Sequence, residues 1–255
     1  MAGVPNTTNF SLQDVVDVIS PSHASLQACF DNASDEFFDP LYVGSKNSLY
    51  NFRNYGGSVV YWKEYDTTSA ASGFVLHNNS AWATVRGAAT GTSVNTTTNW
   101  DVWVDYTGGV YYINRAFMRF DLSIIPASAT CEAAGLGFDA FATYGASIYP
   151  LGLIGTQGSS VTVEDFDAFT FSNYYFSNFT AGPSTPFEGF DYSLEAIGAG
   201  QLASVEAAFG GYLYVAIING YYDNGNNTPT SKQGMTIFKA GEVQATPEMR
   251  IVFTI

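Results

Sequence analysis

Cations are what this chain of 255 residues lacks most: it has nine Lys and Arg against 23 Asp and Glu, a formal net charge of −14. A surface so acidic repels phosphate, so binding to nucleic acid or to an anionic membrane is not expected. Cys29 and Cys131 are the only two cysteines, too few for a disulfide framework, and are expected as buried free thiols. His23 and His77 are the only histidines, which leaves a histidine-based triad or zinc site without supporting ligands. No apolar run of about 18 residues is present, so no membrane-spanning helix is expected. The opening "MAGVPNTTNF" has neither the basic start nor the apolar stretch of a signal peptide.

What the chain does have is aromatic residues, 17 Tyr and 20 Phe, among frequent Ser, Thr and Asn. That composition favours strands and polar turns over long helices. The first part nevertheless reads as helical. Ser11 precedes "LQDVVDVI", with Asp14 three residues on, a helix start. Leu12, Val15, Val16 and Ile19 form one apolar stripe, and Leu26, Cys29, Phe30 and Ala33 repeat the spacing after Pro21. Two short helices in a hairpin are expected. The next stretch, "DPLYVGSKNSLYNFRNYGG" (39–57), interleaves Lys46 and Arg53 with Tyr42, Leu49, Tyr50, Phe52 and Tyr55. A flexible linker would not carry so many large apolar side chains. The apolar burial that residues 1–57 can achieve alone falls far short of their ordering entropy. They are therefore expected to dock on the following domain or on another subunit. The residues expected to make that contact are Leu12, Val15, Val16, Ile19, Leu26, Phe30, Leu49, Phe52, Arg53 and Tyr55.

From Ser58 the period changes to two. Strands are predicted at 58–65, 73–77, 82–86, 100–106, 115–122, 135–144, 146–152, 159–166, 166–176, 212–220, 235–240 and 249–255, separated by Gly, Asn, Ser and Thr clusters. "GQLASVEAAFGG" (200–211) is the one helix expected among them. The fold class that follows is mainly β: a jelly-roll-like antiparallel sandwich over 58–255 behind a short α-helical module at 1–57.

Three places offer chemistry. In "WDVWVDY" (100–106), Asp101, Trp103 and Asp105 share a strand face and could stack on and hydrogen-bond a sugar. The competing reading, which is favoured, pairs Asp101 and Asp105 with Arg115 and Arg119 across the sheet. Glu164, Asp165 and Asp167 in "TVEDFD", or Asp223 and Asn224 in "YYDNGNN", could supply oxygens to a structural Ca²⁺, against the plainer reading of solvated turns. No other cofactor is expected. Carboxylate pairs could also run glycoside hydrolysis, but nothing in the sequence shows a pair converging.

Two stretches resemble known families. "NRAFMRFDLSIIPASATCEAAGLGF" (114–138) is similar to the Arg-Phe-Asp-Leu-Ser-x-Ile-Pro signature of DNRLRE or disaggregatase-related jelly rolls, carbohydrate-binding-module-like domains of secreted and phage proteins. "FSLQDVVDVISP" with "SLYNFRNYG" resembles the leader of virion fibre-type structural proteins from phages of Bacteroidetes. The resemblance implies a non-enzymatic virion component, a head- or tail-attached fibre, collar or decoration subunit. It would be made in the host cytoplasm without a signal peptide, partnered by other virion proteins and by its own copies, and able to touch host surface glycan. A carbohydrate-binding module or lectin of a secreted or cell-surface system is the alternative, with a glycosidase or depolymerase behind it.

Overall fold

The computed structural model describes residues 4, 5, 7, 9–19, 21, 25–33, 38, 42, 45–64, 70–138, 140–146, 150–176, 195–197, 199–237 and 247–254. His23 and parts of the predicted strands (65, 139, 147–149, 238–240 and 255) lie outside the described residues. Among the described residues no helix is long and apolar enough to cross a membrane.

The chain is mainly β, a jelly-roll-like antiparallel sandwich preceded by a helical module. Helices α1 (Leu12–Ile19) and α2 (Leu26–Asn32) form where the apolar spacing places them. Ser11 and Asp14 cap α1 reciprocally. The Ser11 N–H, and then its hydroxyl, hold the Asp14 carboxyl below the ordinary carboxylate value. Ser25 caps α2, its Oγ accepting from the Ala28 N–H at 3.1 Å. A 3-10 turn at Leu49–Phe52 is fixed by Asn51, whose Oδ1 accepts from the N–H groups of Asn47 and Ser48.

Among the described residues thirteen strands follow: β1 (Ser58–Glu64), β2 (Gly73–Asn79), β3 (Ser93–Asn95), β4 (Trp100–Thr107), β5 (Val110–Asp121), β6 (Thr130–Gly137), β7 (Ala140–Tyr144), β8 (Pro150–Gly155), β9 (Phe169–Phe176), β10 (Glu195–Ala196), β11 (Tyr212–Asn219), β12 (Gln233–Ile237) and β13 (Glu248–Thr254). A four-stranded sheet runs β1-β13-β6-β10, and a nine-stranded sheet runs β7-β12-β4-β5-β11-β8-β9, with β2 paired to β5 and β3 paired to β2. The core between the sheets holds Trp100, Met118, Phe120, Val215, Ile217 and Ile237 against Leu136, Met249, Ile251 and Phe253. Helix α4 (Leu202–Glu206) contributes Val205 to this core, and Phe209 follows it there.

The sheet's far side carries a second core: Val75, Val104, Ile113, Phe117, Leu153, Ala216 and Ile218 under Trp82, Val85 and Phe166. Two predicted strands were needed to cover it and became helical. Residues 82–86 form α3 (Trp82–Arg86), which turns Trp82 and Val85, one helical step apart, onto the same face. Asn79 starts the turn by accepting from the Ala81 N–H. The predicted strand 159–166 is instead a loop and a 3-10 helix at Val163–Asp167. Its Thr162-x-x-Asp165 box is a helix-start signal that the strand reading passed over. In both places burial against the sheet outweighs local β propensity.

Candidate functional site

Among the described residues, a third core belongs to the N-terminal module alone. Val4, Val15, Cys29, Phe38, Phe52 and Tyr55 are buried together, with Leu12, Val16, Ile19, Leu26, Phe30 and Leu49 half-buried around them. Phe52 packs its ring 4.5 Å from Phe30 and 5.1 Å from Phe38. The chain start is tied in by the Val4 N–H, which donates to the Tyr55 carbonyl at 2.9 Å. Of the ten residues expected at a docking face, Val15, Phe52 and Tyr55 are thus spent inside the module. The six half-buried apolar residues keep some exposed surface. Arg53 turns back on its own segment, lying 4.3 Å above Tyr42 and donating to the Tyr50 hydroxyl, while Lys46 lies over Phe38.

That use of cations recurs. Arg86, Arg115, Arg119 and Lys232 also lie over aromatic rings, so at least six of the nine basic residues serve the fold in this way. Such contacts stabilise most where water is excluded, and the most enclosed of them is at Arg115.

Arg115, on β5, is fully buried and faces Asp223, equally buried in a π-helical turn at Gly220–Asn224. Its Nε and Nη2 donate to the two Asp223 carboxylate oxygens at 2.7 and 2.8 Å. Nη1 and Nη2 also donate to the carbonyls of Phe166 and Arg86. Its guanidinium lies 4.0 Å from the Phe166 ring centroid and 5.0 Å from that of Phe169. Arg86 completes the knot by donating to the carbonyls of Asp223 and Asn224 while stacking over Phe171. The favoured ion-pair reading is therefore corrected: the carboxylate partner of Arg115 is Asp223, and not Asp101 or Asp105. Asp101 accepts from the Thr236 hydroxyl at 2.7 Å, and Asp105 from the Tyr106 N–H. Arg119 donates to the Ser159 carbonyl and lies over Tyr212. Sequence reasoning missed the pair because its members stand 108 residues apart, and Asp-Asn-Gly reads locally as a turn.

The expected glycan face is built differently from the simple row Asp101, Trp103 and Asp105. Trp103 stands in register with Gly234 on β12 and Tyr144 on β7. The Lys232 ammonium sits 4.1 Å from the Trp103 ring centroid and 3.6 Å from that of Tyr144. The Thr236 hydroxyl links Asp101 to the Tyr144 hydroxyl. At the turn between β4 and β5, the tilted rings of Tyr106 and Tyr111 lie 4.5 Å apart, with Trp82 edge-on to Tyr111. The glycines at 108 and 109 have nothing within 4 Å of where a side chain would begin. This open aromatic shelf went unnoticed in the sequence because its members come from three segments.

The oxygen-rich stretches are engaged locally. Asp165 accepts from the N–H and hydroxyl of Thr162, Glu164 and Asp167 are exposed, and Asp223 is paired with Arg115. Asn224 accepts from the Tyr174 hydroxyl. Among the described residues no group of three or more His, Cys, Asp or Glu could hold a metal ion. Cys29 and Cys131 are both buried and free. Burial pushes the Cys29 thiol up, and burial with Glu206 and Glu132 pushes that of Cys131 to about 11, so neither is an active nucleophile at neutral pH.

His77 packs its ring 5.5 Å from Phe166. Burial, with a smaller contribution from the charge of Arg115, lowers its pKa below the ordinary 6.5, and the Thr90 backbone opposes this in part. The folded ring then holds its proton less tightly than the unfolded chain does. Stability from this group is complete above about pH 6.5 and falls as the pH drops through the window below it. Urea denaturation at stepped pH should show that decline, and His77→Gln should flatten it. An identical slope in both proteins would remove His77 from the account.

No family model matches the chain, and no curated protein matches it.

Proposed function

We propose that this chain is a non-enzymatic structural subunit of a phage virion, a fibre, collar or decoration protein attached to head or tail. Residues 1–57 anchor it to other virion proteins or to its own copies, and the sandwich faces outward. One observation carries the reading: among the described residues the N-terminal module has its own core of six buried side chains, separate from both cores of the sandwich. A segment that only extended the sandwich would share one of those. The leader and signature resemblances in the sequence point the same way. The chemistry found so far also fits display, because the strongest polar cluster, Arg115 with Asp223, is sealed from solvent and locks a loop.

Deleting residues 1–57 tests the anchor. The expected product is a folded sandwich with an unchanged melting transition that no longer joins particles or forms its oligomer. Normal incorporation of the truncated protein would sink the proposal. Contact with host glycan is the second reading, and the Tyr106–Tyr111 pair, backed by buried Trp82, favours it, since aromatic faces accept sugar rings. A glycan array probed with the same truncated protein decides it: saturable binding lost in Tyr106→Ala supports a lectin-like role, and no binding leaves display alone.

A further inference from the structure

Three adjacent strands set Trp103, Gly234 and Tyr144 in one row. Gly234 adopts a φ of +132°, and a Cβ there would lie 2.7 Å from the Trp103 Cα and closer still to the Val102 carbonyl. The middle position of the row therefore carries no side chain. An aromatic residue stands on each side of the gap, with the flanking strands roughly 9.5 Å apart, two strand spacings. A cation midway lies within the ~6 Å reach over which an aromatic face attracts positive charge. The hydrogen-bonded line from Asp101 through Thr236 to Tyr144 steadies one wall. The close backbone approach at Gly234 steadies the other.

The present occupant of this slot is Lys232, and it is poorly matched. Its ammonium has three N–H donors, and among the described residues it has no hydrogen-bond acceptor or carboxylate partner, only the two rings. It also hangs from the end of an exposed loop, residues 225–228 and 230–231 all being exposed, so it can swing out without disturbing β12. A quaternary ammonium group has no N–H to satisfy, is weakly hydrated, and presents methyl groups to both rings. It gains from the slot what the lysine gains and gives up less hydration on entering it.

We infer that the slot between Trp103 and Tyr144 is a binding site for quaternary ammonium groups, closed in this conformation by Lys232 acting as a displaceable plug. The ligand class is a trimethylammonium-bearing molecule, and tetramethylammonium chloride is the probe. The test is a titration of the full chain, followed by the backbone amide resonance of Gly234, which pairs with both ring-bearing positions and is present in every variant, with sodium chloride at matched ionic strength as control. The wild type should respond weakly. Lys232→Ala should saturate at about tenfold lower concentration, the scale of the competing cation–aromatic contact. Adding Trp103→Leu or, separately, Tyr144→Leu to that variant should abolish the response. Equal affinity in wild type and Lys232→Ala would overturn the plug. Absence of saturation in Lys232→Ala, or a response that survives loss of both rings, would overturn the site itself. The two ring variants are independent, so misfolding of one leaves the other to decide.

Discussion

Asp223→Ala will cost the folded protein about 3–5 kcal/mol, because it leaves the Arg115 guanidinium buried without its counter-charge. Both side chains are fully buried, so water cannot take the place of the carboxylate. The Phe166 and Arg86 carbonyls and the flanking Phe rings soften the loss without neutralising the charge. Arg115→Ala should cost a similar amount by stranding the carboxylate and opening a cavity under Phe166. Replacing both, Arg115→Met with Asp223→Leu, should recover at least ~2 kcal/mol relative to the sum of the singles, since buried pairs often break even against apolar side chains. Urea denaturation of the four proteins reads all three values. Single variants within ~1 kcal/mol of wild type, or strict additivity, would show that the pair does not hold the second core to its loop.

Phe52→Ala is the second large effect, and its consequence is local. Phe52 is fully buried and touches Phe30, Phe38 and Tyr55. Removing such a ring costs about 3–5 kcal/mol, more than a core this small can spare. The module should lose amide-exchange protection and become open to proteolysis within residues 1–57. The sandwich, whose cores contain none of these side chains, should keep its melting temperature. Unchanged cleavage would mean that the module is held by something other than this core. A parallel fall in the sandwich's melting temperature would mean that the two parts fold as one unit, which removes the basis for a separate anchor.

Much of the fold was legible because it rests on local periodicity. The stripes beginning at Leu12 and Leu26 became helices, and the alternation at Trp100 and in the final strand became β4 and β13. Residues 82–86 and 159–166 were misread, because five to eight residues carry too little pattern to outweigh their environment. What decided them was an apolar sheet face that only the assembled fold creates. The site residues fared similarly. Asp101 and Trp103 do share a patch, but its character comes from Lys232, Gly234 and Tyr144, brought in by strand pairing from 41 to 131 residues along the chain from Trp103.

The sequence by itself determined the mainly β class, the helical start and the burial of both cysteines, since composition, spacing and apolar character act within a few residues. It also made cations scarce. Where those few cations went was decided by tertiary structure alone. Arg115 found Asp223 instead of Asp101, Arg53 folded onto its own tyrosines, and Lys232 filled the gap over Gly234. For Arg115 and Lys232 the choice depended on which ring or carboxylate the sheet order set within a few ångströms, a distance that strand pairing fixes and local sequence does not encode.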